Sequence, residues 1–411
     1  MKRANIPIQK FKDAPIQIID GDRGINYPKD SEWLENGHCL FLNTGNVTEN
    51  GFNFNNCQFI SFDKDQILGK GKLKRNDLVM TTRGTVGNVG YYNNKVPFEN
   101  IRINSGMVIF RVDQAEIMPS FLYQYLRSAH FYKQVNALRT GAAQPQLPIR
   151  DIKCIKIQIP QIAEQDKIAG ILSDYDDFID TNRRRIQLLE ETARLLFREW
   201  FVYFRFPGHK KIKIADGVPE GWRRKKVKDL GVIVTGKTPS TKNASNFNGA
   251  VPFIKTPDMH QSSIIINTEE LLSETGASSQ NNKFLPSWSI MVSCIGTVGI
   301  VAMNLFKAQT NQQINSVIPR KEIYRYYSFF CLSRLKPLLE AIGGGSTMAN
   351  VNKNKFENLN VLIPPEDILK EFHETVDPLF KQIAIVLQQN QKLAQARDLL
   401  LPKLMKGEIR V

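Results

Sequence analysis

The sequence lacks the patterns that mark membrane proteins and secreted proteins. No run approaches the roughly 18 apolar residues of a membrane-spanning helix, and the N-terminus MKRANIPIQKFK has no apolar stretch of the kind found in signal peptides. The five cysteines are scattered and form no Cys-x-x-Cys pair, which predicts reduced thiols in a cytoplasmic protein. For the neighbours His38 and Cys39, a partly buried strand pair is favoured over a metal site, so we expect no bound metal.

The common catalytic motifs are also missing. There is no Gly-x-Gly-x-x-Gly turn between a strand and a helix, no Gly-x-Ser-x-Gly, no His-Glu-x-x-His, no Glu-x-Lys nuclease pattern and no Asp/Asn-Pro-Pro-aromatic methyltransferase tetrapeptide. GVIVTGKT (231–238) matches a phosphate-binding loop letter for letter. Its Val-Ile-Val centre predicts a strand, however, and Pro239 to Asn243 predict a loop where that motif needs a helix. Together the absences favour a binding protein, without a cofactor of its own, over an enzyme.

Acidic residues are scarce relative to basic ones, and the imbalance is uneven. The chain has 55 Lys and Arg against 40 Asp and Glu, a net charge of +15. Residues 1–159 carry a net +7 and residues 206–363 a net +10, whereas residues 160–205 carry −2 and residues 364–411 carry 0. A basic surplus confined to two segments indicates a polyanionic partner, with general solubility as the alternative.

The sequence does contain an internal repeat. GTVG occurs at 84–87 and at 296–299, and the same offset of 212 places NGHCLFLNTGNV on NGAVPFIKTPDM and Gly24 on Gly236. Further along the offset falls to 204. A chance tetrapeptide match would not bring its neighbours into register. The chain is therefore interpreted as two copies of a unit of about 200 residues, a period too long for a solenoid, related by pseudo-twofold symmetry.

Each copy begins with a strand-rich part. Short apolar or β-branched runs bounded by Gly, Asn or Pro predict strands, and two longer stretches predict intervening helix. The strand runs are IQIID, CLFLNT, DLVMTT, GMVIFRV and IKIQIP in the first copy and VPFIKT, SIIIN, SIMVSC and NVLIP in the second. The helical stretches are PSFLYQYLRSAHFYKQV and IYRYYSFFCLSRLKPLLEAI.

Each copy ends in a long amphipathic helix. Apolar residues recur there in steps of four and three, the seam of a coiled coil, and two such helices in one chain most simply pack on each other. Asn182 interrupts the seam and is expected to fix its register. Pro378 predicts a kink or restart of the second helix, and Pro402 predicts its end or a further bend. The apolar seam residues are Ile168, Leu172, Tyr175, Ile179, Ile186, Leu189, Leu196 and Trp200, then Phe372, Val376, Leu379, Ile383, Val386, Leu393, Leu400 and Leu404.

Beyond these patterns, the chain resembles a known family. PQIAEQDKIAGILSDYDDFIDTNRRRIQLLEETARLLFREWFVYFRFPGH (160–209) closely resembles the central conserved region of the specificity subunits of type I restriction-modification systems. RDLLLPKLMKGEIRV (397–411) resembles their C-terminal conserved region, and PEGWRRKKVKDLGVIVTGKTPS (219–240) looks like the start of their second target-recognition domain. GDRGINYP (21–28) is similar to a loop of some first recognition domains. The resemblance covers essentially the whole chain in the right order.

The resemblance implies an α+β fold with two similar target-recognition domains separated by two long antiparallel helices that form a coiled coil. It implies a non-catalytic subunit that binds an asymmetric, bipartite site in double-stranded DNA, one half per domain. The helices would set the spacing and dock two methyltransferase subunits, which use S-adenosylmethionine; two restriction subunits would add ATP- and Mg-dependent translocation and cleavage. The expected bounds are 1–159 and 207–363 for the recognition domains, and 160–206 and 364–411 for the helical regions.

Loop residues beside the strand ends are the candidates for DNA contact, because strands hold such loops rigidly. Arg suits guanine, Asn suits adenine and Asp can accept from cytosine, while a turn cap or a solvated charge is the alternative at each position. The candidates are Asp22, Arg23, Asn26, Lys29, Asn43, Thr44 and Arg83 in the first copy and Lys237, Thr238, Ser240, Lys255, Thr256 and Asp258 in the second. The glycines of the repeated GTVG are interpreted as backbone-shape positions.

The helix surface away from the seam is the candidate for contact with methyltransferase subunits. Its residues are Arg194, Arg198, Phe201, Tyr203, Leu401 and Met405. The alternative for Phe201 and Tyr203 is that they close the end of the helix pair. Two other functions stay open: a stand-alone DNA-binding regulator that meets no methyltransferase, and an NTPase that uses Gly236, Lys237 and Thr238.

Overall fold

The chain folds into two units of similar architecture. A computed structural model describes residues 6–141, 144–260, 262–343, 350–406 and 408–409, and for Met405 and Lys406 the backbone alone. The first unit comprises Met1–Ile179 with Lys392–Val411, and the second comprises Asp180–Gln391. No helix within the described ranges combines the length and the apolar character needed to cross a membrane.

The first unit contains short strands, short helices and parts of both long helices. Its strands are β1 (Ile8–Lys10), β2 (Ile16–Asp20), β3 (Cys39–Leu42), β4 (Val47–Thr48), β5 (Gly51–Phe52), β6 (Phe59–Ile60), β7 (Leu78–Thr81), β8 (Val89–Tyr91), β9 (Ile101–Ile103), β10 (Met107–Val112) and β11 (Lys156–Gln158). Its helices are α1 (Phe62–Ile67), α2 (Pro119–Leu126), α3 (Ala129–Leu138), α4 (Ile149–Ile152) and the start of α5 (Ile162–Phe201). Short 3-10 turns lie at Phe11–Asp13, Asp30–Glu32 and Thr44–Asn46.

The second unit repeats this order. Its strands are β12 (Ile214–Ala215), β13 (Val218–Pro219), β14 (Arg223–Lys226), β15 (Gly231–Thr235), β16 (Phe247–Ile254), β17 (Ile264–Ile265), β18 (Glu270–Leu272), β19 (Ile290–Ser293), β20 (Val301–Asn304), β21 (Gln309–Thr310), β22 (Ile314–Pro319) and β23 (Asn360–Ile363). Its helices are α6 (Glu274–Ser278), α7 (Arg325–Arg334), α8 (Lys336–Gly343), α9 (Lys353–Glu357) and the start of α10 (Glu366–Lys406), with 3-10 turns at His209–Lys211, Val227–Asp229, Ala244–Asn246, Thr256–His260, Asn281–Lys283 and Glu322–Tyr324. Every predicted strand run contains a strand, and each predicted helical stretch contains two helices.

The two units share a sheet topology. A sheet of order β2-β10-β7-β8 packs against one of order β6-β3-β9 in the first unit, and β15-β22-β19-β20-β17 packs against β18-β16-β21 in the second. The central strands β10 and β22 run antiparallel to both neighbours, whereas β3 runs parallel to β9 and β16 parallel to β21. The carboxyl ends of the strands that flank β10 or β22 therefore lie at one end of each sheet.

Backbone pairing confirms the predicted two-domain α+β repeat. Arg83 forms an isolated bridge with Gln146, and Ile295 forms the corresponding bridge with Asn350. These two pairs are related by the offsets of 212 and 204 read from the sequence. Local contacts thus repeat at positions far apart in the chain.

One predicted equivalence is wrong. β2 ends with Asp20 opposite Val108, and β15 ends with Thr235 opposite Asn315. The offset at this point is therefore 215, and Gly236 corresponds to Gly21 rather than to Gly24. A Cβ atom on either Gly21 or Gly236 would approach the carbonyl oxygen of Asn104 or Asn311 to 2.2 or 2.0 Å. Close backbone packing requires glycine at both positions.

The long helices α5 and α10 run antiparallel within each unit, because their contacts follow opposite orders along the two helices. In the second unit, Trp200 packs against Phe372, and Asn182 Nδ2 donates to Asn390 Oδ1 at 2.8 Å. In the first unit, Asp176 pairs with Arg397 at 2.5 Å, and Ile168 shares a core cluster with Leu404. Each predicted apolar seam residue is buried or half-buried. The polar seam residue Asn182 meets a second asparagine, an arrangement that restricts register.

Neither proline interrupts α10, so a restart at Pro378 and an end at Pro402 are ruled out, while a kink at Pro378 or a bend at Pro402 stays a prediction. The helix is continuous over Glu366–Lys406. A proline inside a helix costs about 3 kcal/mol because one backbone donor is lost. Buried neighbours on both sides, Val376 and Phe380 at the first proline and Leu401 and Leu404 at the second, offset that loss.

Candidate nucleic-acid interface

Four loops of the first unit meet at the carboxyl ends of its strands. They are residues 21–29 after β2, 43–46 after β3, 82–87 after β7 and 104–106 after β9, together called the first loop edge. Hydrogen bonds that join them include Thr82 N–H to Gly106 O (2.8 Å), Asn104 N–H to Leu42 O (3.0 Å) and Arg23 Nη2 to Ser105 O (3.2 Å). The loops therefore form one surface rather than four independent turns.

The second unit places four corresponding loops together. They are residues 236–240 after β15, 255–260 after β16, 294–299 after β19 and 311–313 after β21, called the second loop edge. The joining bonds are Lys237 N–H to Thr310 O (2.9 Å), Asn311 N–H to Ile254 O (3.1 Å) and Cys294 N–H to Gln313 O (2.7 Å). Most candidates for DNA contact thus lie on two equivalent surfaces.

The turns of the two edges are held by the same side-chain bonds. Asn46 Oδ1 accepts from the Asn43 N–H at 3.0 Å, and Asp258 Oδ2 accepts from the Lys255 N–H at 2.8 Å. Before GTVG, Thr81 Oγ1 and Ser293 Oγ each accept from the backbone N–H seven residues later, at 3.0 and 2.9 Å. Short polar side chains in this role shape turns, which leaves neighbouring positions free to present other groups.

The GTVG glycines have left-handed backbone conformations, as the sequence predicted. Gly84 and Gly296 have φ of +70° and +75°, and nothing lies within 4 Å of a Cβ built on either. Backbone shape rather than lack of space therefore accounts for these two glycines.

The geometry of residues 231–240 contradicts the NTPase alternative. Gly231–Thr235 is a strand, and no helix begins between it and residue 240. The N–H groups of Gly236 and Lys237 already donate to Ile314 O and Thr310 O at 3.0 and 2.9 Å. A phosphate-binding loop needs such N–H groups to point at the ligand.

A buried arginine holds residues 65–70, a segment whose Gly69 and Lys70 N–H groups donate to Asp22 of the first loop edge. Arg102, 5% exposed, donates from Nη2 to the carbonyl oxygens of Asp65 (2.7 Å) and Leu68 (2.9 Å), and from Nη1 to Lys70 O (2.7 Å). The Asp65 carboxylate, which is fully buried, pairs with Arg102 and with Lys72. Burial alone would raise the pKa of Asp65, but the hydrogen bonds to these two cations outweigh it and lower that pKa.

A neutral glutamine makes the equivalent bonds in the second unit. Gln309 occupies the place of Arg102, since both residues pair with the same position of the neighbouring strand. Its Nε2 donates to Ala277 O (2.9 Å) and Gln280 O (3.3 Å), which correspond to Asp65 and Leu68 at the offset of 212. These two arrangements are called the arginine clamp and the glutamine clamp.

His38 and Cys39 border the arginine clamp. The Cys39 thiol is fully buried in β3, and burial together with the nearby Asp65 carboxylate raises its pKa to about 12. His38 Nε2 lies 3.5 Å from Asp65 Oδ2. Throughout the described ranges, no three His, Cys, Asp or Glu side chains are grouped so that they could hold a metal ion.

The structure corrects the prediction that Asp22 contacts DNA. Asp22 is 9% exposed, and its carboxylate accepts from the N–H groups of Gly24 (2.7 Å), Gly69 (2.8 Å) and Lys70 (3.2 Å). Burial would raise the pKa of Asp22, but these backbone hydrogen bonds outweigh it and lower that pKa. Asp22 therefore holds loop 21–29 in shape.

Thr256 is also corrected to a structural role, whereas Asp258 shapes its turn and stays a half-buried candidate. Thr256 is 7% exposed and donates to Gln313 Oε1 at 3.3 Å. The two oxygens of Asp258 accept from the N–H groups of Lys255 and Glu269. Thr256 recurs as Thr44 in the first copy, and a residue that recurs in both copies can serve what both copies have in common.

The remaining candidates are exposed or half-buried. Arg23, Asn26, Lys29, Arg83, Lys237 and Ser240 are exposed, and Asn43, Thr44, Thr238 and Lys255 are half-buried. Arg23 is tethered to Asp20 at 3.1 Å, Asn43 Oδ1 accepts from the Gly45 N–H at 2.8 Å, and Lys255 pairs with Glu270. Only part of each edge is therefore free to meet a ligand.

Two exposed residues were missed by the sequence reasoning. Ile25, at the tip of loop 21–29, is 97% exposed, and Gln312, in the loop after β21, is also exposed. The signal for Ile25 was an apolar residue inside GDRGINYP. Gln312 had no signal, because its loop joins the edge through pairing with distant strands.

The predicted subunit-contact residues divide into two groups. Arg194 and Tyr203 are exposed, and Arg198 is half-buried and donates to the Tyr203 hydroxyl at 2.7 Å. Phe201 is 6% exposed, with ring centroids 4.7 Å from Phe372, so it closes the helix pair. Leu401, 4% exposed, belongs to the core of the first unit. The prediction that Phe201 and Leu401 contact another subunit is therefore corrected, because a buried side chain offers no surface. The Met405 side chain lies outside the described residues.

Comparison with known proteins fits this architecture. A family model described as the type I restriction modification DNA specificity domain matches residues 23–191 and 219–395. The specificity subunit of the type I restriction enzyme HindI from Haemophilus influenzae is 30% identical over 95% of this chain and 98% of its own, and that of MjaIX from Methanocaldococcus jannaschii is 26% identical over 93% and 86%.

A solved structure shares the fold. The crystal structure of a type I restriction-modification S subunit from M. genitalium covers 98% of this chain and 97% of its own, with a TM-score of 0.55 at 15% sequence identity. The family match falls once on each unit of the repeat and includes both loop edges apart from residues 21 and 22. The chain therefore belongs to the family of type I restriction-modification specificity subunits, which recognise DNA sequence.

Proposed function

We propose that this chain binds an asymmetric, bipartite site in double-stranded DNA, with one half-site read by each loop edge. The observation that carries the proposal is that the two edges share their turn bonds while presenting different side chains: Arg23, Ile25 and Arg83 on one, and Lys237, Thr238 and Gln312 on the other. Equivalent scaffolds match two half-sites, since protein symmetry mirrors site symmetry. Different side chains at base edges give half-sites of different sequence.

Nonspecific affinity comes from the basic surplus of the two strand-rich segments. Residues 1–159 and 206–363 hold a net +17 between them. Lys and Arg that neutralise phosphates release counterions, so binding should weaken steeply as salt rises. Specific contacts from Arg23, Asn26, Arg83 and Lys237 add to this background.

The chain acts without catalytic groups of its own, as the recognition part of a larger complex. In this proposal two methyltransferase subunits dock on the outer surfaces of α5 and α10, with Arg194, Arg198 and Tyr203 among the contacts. Those subunits use S-adenosylmethionine, and two restriction subunits use ATP and Mg. The recognition domains span 1–159 and 207–363, and the helical regions 160–206 and 364–411 separate the half-sites.

The first experiment is a genome-wide map of methylated adenines in cells with and without this gene. The proposal expects an asymmetric bipartite motif whose methylation disappears with the gene. An unchanged map would reject methyltransferase guidance and would favour a stand-alone DNA-binding regulator. Co-purification of a methyltransferase with the tagged chain is the independent check, because a regulator of that kind would purify alone.

The separation of the half-sites tests the helices. Inserting one heptad into both α5 and α10 preserves the seam while lengthening each helix by about 10 Å. The expected outcome is a methylated motif with a changed spacer and two unchanged half-sites. A motif with the original spacer would rule out the helices as the determinant of spacing.

A further inference from the structure

The loop after β21 differs from its counterpart in the first unit. Strand pairing places Asn311, Gln312 and Gln313 at the positions of Asn104, Ser105 and Gly106. In the first unit this loop contributes backbone: Ser105 O accepts from Arg23, and Gly106 O accepts from the Thr82 hydroxyl at 3.0 Å. In the second unit the same loop carries two glutamine side chains in place of Ser105 and Gly106.

Gln313 is committed to the structure of the loop. Its Oε1 accepts from Asn311 Nδ2 at 3.0 Å and from Thr256 Oγ1 at 3.3 Å. Its N–H donates to Asn311 Oδ1 at 3.2 Å, and its carbonyl oxygen accepts from the Cys294 N–H. Gln313 therefore fixes the backbone on which Gln312 stands.

Gln312 is exposed and held by one neighbour. The Thr238 hydroxyl donates to Gln312 Oε1 at 2.6 Å. This bond uses one lone pair of the amide oxygen and leaves the second lone pair and both N–H donors for a ligand. It also orients the amide plane, which reduces the rotamer freedom that binding would otherwise remove.

We propose that Gln312 reads an adenine in the half-site bound by the second loop edge, with Thr238 as its positioning residue. This inference rests on the proposed function. An acceptor beside a donor on one amide matches the N6 amino group and N7 of adenine in the major groove. Guanine presents two acceptors there and cytosine one donor, so neither base satisfies both atoms of the amide.

The test is methylation of duplexes by the complete complex, with each position of the second half-site randomised in turn. Gln312→Ala should relax the preference at one adenine position by about tenfold to a hundredfold, and leave the first half-site unchanged. Gln312→Glu should move the preference at that position toward cytosine, because a carboxylate accepts from the cytosine amino group. Thr238→Val should relax the same position more weakly, since it removes only the orienting bond.

Ser105→Ala is the matched control, since it changes the equivalent, half-buried position of the first edge and should leave the second half-site intact. If Gln312→Ala and Gln312→Glu keep the wild-type base preference while the wild-type complex still methylates a bipartite motif, the inference is overturned. The proposed function then still stands. Equal relaxation of both half-sites also overturns it. A wild-type complex that methylates no bipartite motif rejects both. If Gln312→Ala abolishes methylation, the other two variants test the inference. A shift toward cytosine in Gln312→Glu and a weaker relaxation in Thr238→Val support it, and an unchanged base preference in both overturns it.

Discussion

The arginine clamp and the glutamine clamp perform one task with different chemistry. Arg102 donates to the carbonyl oxygens of Asp65 and Leu68. Gln309 donates to those of Ala277 and Gln280, the equivalent positions in the second unit. The arginine requires a buried counter-charge, Asp65, whereas the glutamine lies beside Ala277. The difference teaches that the duplicated fold keeps a side-chain donor at these carbonyls while the identity of the donor varies.

The loop edges show the same division. Turn bonds recur at equivalent positions, as at Asn46 and Asp258, while other positions differ: Arg83 is exposed where the second unit has the half-buried Ile295. Residues that shape the scaffold and residues that are presented on it are separate sets. This separation is what permits two copies of one fold to bind different half-sites.

The largest expected effect comes from breaking the arginine clamp. Arg102→Met leaves the Asp65 carboxylate buried without its main partner, which costs about 3–5 kcal/mol. Hydrogen exchange of the β7 and β10 amides should show this loss in the first unit, while the β19 and β22 amides of the second unit keep their protection. A loss below about 1 kcal/mol would contradict the buried ion pair.

Next in size is the loss of a presented side chain. Arg83→Ala should weaken recognition of the first half-site by about 1–3 kcal/mol, because a good contact to a base edge is worth that much. The second half-site should be unaffected. Competition binding with duplexes altered in either half-site measures both effects, and equal losses in the two halves would count against two independent edges.

Breaking the glutamine clamp should cost less than breaking the arginine clamp. Gln309→Leu removes two side-chain hydrogen bonds, while the Gln280 and Lys283 N–H groups still donate to the Ala277 and Gln280 carbonyl oxygens. No unpaired charge is created, so the two lost bonds should cost about 1–3 kcal/mol together. Hydrogen exchange of the β19 and β22 amides should show this loss in the second unit, while the β7 and β10 amides of the first unit keep their protection. If Gln309→Leu proved as costly as Arg102→Met, charge would not be what distinguishes the clamps.

The smallest effect is expected from exchanging the clamps. The double variant Asp65→Ala with Arg102→Gln copies the glutamine clamp into the first unit and should stay within about 1 kcal/mol of wild type at neutral pH, since buried pairs can be replaced at little net cost. A large loss would show that the arginine has a further task, such as its bond to Lys70 O.

Acidification sharpens this last comparison. The folded pKa of Asp65 is lowered, so its contribution to stability is present above the unfolded pKa of about 3.9 and is lost as the pH falls below that value. The wild type should therefore lose more unfolding free energy between pH 6 and pH 3 than the exchanged variant, as measured by urea titrations at each pH. Parallel pH profiles would contradict the role assigned to Asp65.

Local patterns in the sequence determined much of the fold. The GTVG repeat gave the duplication, strand runs such as DLVMTT became β7, and the four-three spacing from Ile168 to Trp200 became α5. These features depend on neighbours within a few residues, and the covalent chain preserves such neighbours whatever the fold. The prolines of α10 show the limit of local reasoning, because buried seam neighbours offset a local penalty.

The tertiary structure alone decided which polar residues became part of the scaffold and which remained free. Asp22 resembled a DNA-contacting aspartate in its loop, yet its carboxylate accepts hydrogen bonds from N–H groups 47 and 48 residues away. Gln312 resembled any loop glutamine, yet Thr238, 74 residues distant, orients it at the second edge. Burial and hydrogen bonding are set by the strands that meet in space, and no local pattern records which strands those are.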